Sequence, residues 1–141
     1  MHYNSVDHFL FAHESQIIEM MARAQQATGG HYAALSEAAR RADARAAAQR
    51  MMAAVRQVQL DGQTVQATAR QRDSAGIALD DLTRLVDQME TRFIAFVQAE
   101  LRAQPELAAE ILRRLRNANA RFRSNVMAVK LDKTIRQLQE R

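Results

Sequence analysis

The sequence predicts an all-α fold, and three observations predict it. Apolar residues recur at the three- and four-residue steps of a helix along two long stretches that meet at Pro105. The glycines and the lone proline fall at Gly29-Gly30, Gly62, Gly76 and Pro105, and divide the chain into five segments. Between these breakers alanine, glutamine, arginine, leucine and methionine dominate, all good helix formers, and no alternating strand pattern competes. The expected architecture is a compact bundle of about five helices with a long C-terminal one. It forms a single domain over residues 1–141, large enough to hold a core without disulfide or metal staples.

The first segment offers Asn4 and Ser5 as caps and Asp7 as a first-turn acid, each favourable at a helix N-terminus. Val6, Phe9, Leu10, His13, Ile17, Met20, Met21 and Ala24 then trace one stripe to about Thr28, where Gly29-Gly30 ends the helix. Ser36 and Glu37 start a second helix, expected to turn Ala39, Ala42, Ala46, Met51, Met52, Val55 and Val58 inward. Its alanine-rich first half packs close but buries little area per residue. Asp61-Gly62 reads as a turn. The third segment, residues 63–74, is short and polar, marginal as a helix alone, and Gly76 is expected to end it in a left-handed cap.

Asp80-Asp81 place negative charge in the first turn of a fourth helix. Its apolar stripe is Leu82, Leu85, Val86, Met89, Phe93, Ile94, Phe96, Val97 and Leu101. Pro105 suits the first turn of the last helix, where its missing N–H has no partner to lose. In that helix Ile111, Leu115, Ala118, Phe122, Asn125 and Val129 follow a 4-3-4-3-4 spacing, with Val126 beside them. This is the seam of a helix pair or coiled coil, inside the protomer or across a dimer. Leu131, Ile135 and Leu138 extend an apolar face beyond it, which either folds back on the first helix or reaches a second subunit or a following domain.

Charge and composition narrow the function. The formal net charge is +4, and from Pro105 onward nine basic residues stand against four acidic ones. Arg113, Arg114, Arg116, Arg121 and Arg123 are the candidate patch for an anionic partner, nucleic acid or an acidic protein; the ordinary reading of such a helix face is solvation. Few aromatics are available for base stacking, and no helix-turn-helix spacing occurs. The chain has no cysteine, which excludes disulfides, thiolate metal sites and a cysteine nucleophile and agrees with a cytoplasmic setting. No apolar run approaches the roughly 18 residues of a membrane span, and the N-terminus lacks the pattern of a signal peptide.

The four histidines, His2, His8, His13 and His31, lack the spacing of a zinc site, and none lies where a haem-binding helix would need it. His13, on an apolar stripe, is expected to be a partly buried histidine with a hydrogen-bond partner. Asp80 and Asp81 diverge by about 100° on a helix, so they do not form an acid–base pair. No glycine loop carries the lysine and serine or threonine that cradle phosphate. The expectation is a protein that is not an enzyme and holds no cofactor or metal.

From Ala69 to Leu82 the chain resembles a known pattern, Arg-x-x-x-Gly-x-x-Leu-x-x-Leu opening a long helix, matched by Arg72, Gly76, Leu79 and Leu82. The pattern is that of the N-terminal regulatory domain of the stressosome co-antagonist (Rsb-type) family, found also in front of some bacterial sensor kinases. Upstream, Tyr32, Leu35, Ser36-Glu37, Met51-Met52 and Val55 are similar to the family's second helix. Downstream, Pro105 and Ile111-Leu112-Arg113-Arg114-Leu115 resemble its last helix. The resemblance implies a bundle-like or globin-like helical module without haem, usually a homodimer. Such a module senses a signal or docks a protein partner, and passes a shift of its last helix to an output domain.

Overall fold

The computed structural model describes residues 1–56 and 78–140. Helix α1 spans Val6–Ala12, α2 Glu14–Thr28, α3 Glu37–Val55, α4 Leu79–Glu100 and α5 Pro105–Gln139; a 3₁₀ turn, Gly30–Ala34, joins α2 to α3. Four of the helices close a ring. α2 packs on α3 and α4, and α5 packs on the other side of the same two, with α1 laid against α5. The core inside the ring is built from Phe9, Leu10, Ile17, Met52, Val55, Met89, Phe93, Val97, Ile111 and Leu115, among others, each almost wholly removed from water. Burial of this apolar surface, rather than helix propensity, holds the helices in place.

The caps follow the sequence. Ser5 Oγ accepts from the His8 N–H at 3.1 Å, and Ser36 Oγ accepts from the Ala39 N–H at 3.2 Å. Gly29, at φ 67°, ends α2 and its N–H donates to the Gln25 carbonyl. That φ lies in the left-handed region where a side chain is strained and glycine is not. Tyr32, in the 3₁₀ turn, is 1% exposed.

Two expectations need correction. The first segment is two helices, interrupted at His13, where the backbone sits at φ −115° and ψ 16°. The His13 ring is held by the Tyr3 hydroxyl at 2.7 Å and by Gln16, and it packs edge-on against Phe96. Phe9, His13 and Ile17 stay in phase across the break, so periodicity gives no sign of it. In α3 the inward stripe is Ala44, Ala48, Met52 and Val55, whereas Ala39 and Ala42 face solvent. Alanines occupy every face of this helix, and a period read from methyl groups alone leaves its rotation undetermined.

The N-terminal segment is tied to the α4–α5 elbow by a reciprocal pair. The Tyr3 N–H donates to Gln104 Oε1 at 2.8 Å, and Gln104 Nε2 donates to the Tyr3 carbonyl at 2.8 Å. Gln104 thus serves as a backbone-like partner for an otherwise unpaired strand of chain. Beyond the elbow α5 runs antiparallel to α4. Glu90 meets Asn119, Asp87 meets Arg123, and Asp80 meets Lys130, stepping up one helix as the other steps down. Because α4 begins at Leu79, α5 passes its end near Lys130 and continues as helix to Gln139.

Candidate functional site

Five of the residues singled out from sequence, Leu79, Leu82, Phe122, Val126 and Val129, meet where α4 begins and α5 leaves it. Leu79, Leu82, Val126 and Val129 form a small apolar cluster, separate from the main core, with Phe122 partly buried against it. Two of the four motif residues therefore touch two of the last-helix residues directly. Arg72 and Gly76, together with the turn at Asp61-Gly62 and the third segment, lie outside the described residues. Ile111 and Leu115, by contrast, are fully buried in the main core. The Ile111–Val129 seam is thus occupied inside the protomer, by α3 and α4.

Polar contacts frame the small cluster on both sides. Arg123 Nη2 lies 2.6 Å from Asp87 Oδ1 and 2.6 Å from Glu90 Oε2. Lys130 pairs with Asp80, and its hydrogen bond and charge hold that carboxyl below the usual carboxylate range. Asp81, next to it, is 6% exposed. It pairs with Arg84 and accepts the His31 N–H at 3.3 Å, so it stitches the start of α4 to the turn after α2. Sequence assigned it only the duty of a first-turn acid. A buried carboxylate is expensive unless paired and hydrogen-bonded, and Asp81 has both compensations.

The fold pairs three of the five arginines of the candidate patch with carboxylates of the chain itself. Arg113 and Arg114 both grip Glu110, at 2.6 and 2.8 Å, and Arg114 also donates to the Val55 carbonyl at 3.4 Å, closing the end of α3. Arg123 holds the two carboxylates just described. Arg116 and Arg121 are exposed and make no ion pair among the described residues.

Glu110 supplies a pH test. The two guanidinium groups bring its pKa down from 4.5 to about 2. A carboxylate whose pKa falls on folding stabilises the native state above its unfolded pKa, and that contribution is lost as pH drops toward the folded value. We expect the melting temperature of Glu110→Gln to be less sensitive to pH between about 4.5 and 2 than that of the parent chain. A carboxyl NMR titration placing Glu110 at the ordinary value would contradict the double grip.

Elsewhere the surface offers little chemistry. Tyr3, His8, Phe9, His13 and Phe96 form an aromatic cluster with ring centroids 4.8–5.9 Å apart. Both ring nitrogens of His13 already have partners in Tyr3 and Gln16. An open groove of about 300 Å³ between α2 and α3 is lined by Ile18, Glu19, Ala22, Arg41, Ala42, Ala44 and Arg45; Glu19 pairs with Arg23 at 3.5 Å and Arg41 with Glu37 at 2.6 Å, each along its own helix. Among the described residues no group of three or more histidines and carboxylates is placed to hold a metal ion, and no helix is long and apolar enough to cross a membrane.

No protein-family model, curated protein or solved structure matches the chain. The feature that sequence reasoning weighed but did not resolve is the end of α5. Met127, Leu131, Ile135 and Leu138 are 61%, 62%, 45% and 62% exposed, and the tail does not fold back on the first helices.

Proposed function

We propose that this chain is a non-enzymatic regulatory domain of the stressosome co-antagonist type, working in the bacterial cytoplasm as a homodimer. Its output is α5, whose position is relayed to a protein partner or to a fused output domain. The observation that carries this reading is the division of α5. Its first third is locked in the main core, a four-residue cluster with α4 holds its middle, and the apolar residues of its last turns are exposed. A small cluster bordered by ion pairs can rearrange while the larger core stays packed, which is what a two-position relay needs. The motif residues Leu79 and Leu82 belong to that cluster, so the family resemblance and the geometry point to one place.

Hydrogen exchange tests it. We expect amides of 79–86 and 120–130 to exchange through local opening, with protection well below that of 89–97 and 108–115. Equal protection across both regions would make α4 and α5 one cooperative unit with no separable joint, and the relay would fall.

A further inference from the structure

The uncovered end of α5 carries a pattern of its own. Ala128, Leu131, Ile135 and Leu138 follow a 3-4-3 spacing, the a and d positions of a heptad repeat, with Ala128 and Ile135 at a and Leu131 and Leu138 at d. All four are exposed. At about 100° per residue this stripe lies on the far side of α5 from Phe122, Val126 and Val129, the residues that face α4. A second helix can therefore lie along it without displacing α4.

We propose that this stripe is the seat of a second copy of the same chain, forming a short parallel two-stranded coiled coil over residues 128–138. The inference rests on the reading of α5 as the output element and names what that element engages. Three observations select the occupant. Every a and d position from Ala128 on is uncharged, and β-branched Ile135 at a with leucine at d is the combination that favours two parallel strands. The flanking positions that meet across a parallel pair are Met127 with Asp132 and Thr134 with Gln139, so no like charges oppose one another. The cations of this stretch, Lys130, Lys133 and Arg136, lie on other faces, and Arg136 is bridged to Asp132 of its own helix at 3.3 Å.

The seam also has a definite upper limit. One heptad above Ala128 the a position is Arg121, exposed, so two copies would repel there and the helices must part. What remains is roughly 16 Å of seam, which makes the dimer weak and concentration-dependent.

The whole chain provides a clean test, because it has no cysteine of its own. Sedimentation velocity from micromolar to millimolar protein is expected to show a monomer–dimer equilibrium. Leu131→Asn with Ile135→Asn, both at exposed positions, should weaken it by at least about 100-fold with an unchanged helical CD spectrum. Under mild oxidation Leu138→Cys and Ile135→Cys should each cross-link to themselves, since equivalent positions of a parallel pair lie within disulfide reach, and Phe11→Cys should not. A dimer that survives the double asparagine substitution, or that cross-links only between cysteines at 131 and 135 in mixed samples, would overturn the parallel coil and leave the regulatory dimer standing. A chain that stays monomeric throughout would overturn both.

Discussion

Phe93→Ala is expected to lower the stability of the bundle by about 3–5 kcal/mol, the range found when a large aromatic is emptied from a close-packed core. Phe93 is 0% exposed, sits well along α4 and belongs to the main core cluster shared with α2, α3 and α5. No single neighbouring helix can collapse into the space, because each is pinned by its partners around the ring. For a domain of this size the loss corresponds to a fall of roughly 10–20 °C in Tm, a large part of the whole stability of a typical domain. Phe11→Ala is the control. That ring is 76% exposed, and its removal should change stability by less than about 0.5 kcal/mol. Thermal denaturation followed by CD reads both. A Phe93→Ala chain that melts with the parent would mean that α4 turns another face inward.

Gly30→Ala is expected to cost about 2–3 kcal/mol, from two sources that can be separated. At φ +55° a side chain pays roughly 1–2 kcal/mol for the left-handed conformation alone. Its Cβ would also stand 2.6 Å from Asp81 Oδ2 and 2.8 Å from Oδ1, so the carboxylate must leave the His31 N–H that it accepts. A double-mutant cycle with Asp81→Ala isolates the second source. In that background the Gly30→Ala penalty should shrink to the conformational part. Gly29→Ala, with open space around its Cβ position, should show strain but no coupling to Asp81. Additive effects of Gly30→Ala and Asp81→Ala in urea melts would contradict the contact.

These two sites also mark how far the sequence could be read. Phe93 was legible, because α4 alternates apolar and polar faces at a helical period and one register satisfies all of them. The caps at Ser5, Ser36 and Gly29 were legible for the same local reason, since each satisfies backbone groups only a few residues away. The burial of Asp81 was not. It depends on the turn after α2 arriving beside the start of α4, some 50 residues distant in the chain, and a carboxylate at a helix start already has a sufficient local explanation. The arginines of α5 show the same limit. Sequence counts their charges, but only the fold brings Asp87 and Glu90 to Arg123, and Val55 to Arg114. The exposed end of α5 was visible as a continuing apolar face, while the question of what lay beside it needed the point where α4 begins.

The uninterrupted course of α5 has a mechanical consequence. At 1.5 Å per residue its 35 residues make a rod of roughly 50 Å, clamped at Ile111 and Leu115, with Leu131, Ile135 and Leu138 exposed beyond Lys130. When the cluster of Leu79, Leu82, Val126 and Val129 opens, the rod from Leu115 to Leu138 becomes a lever arm of roughly 35 Å. A tilt of about 5° at the clamp, well within what a repacked side chain can produce, moves the tip by about 3 Å, more than half the pitch of an α-helix. Displacements too small to disturb the packed ring are thus magnified at the far end, where two such tips would read them against each other.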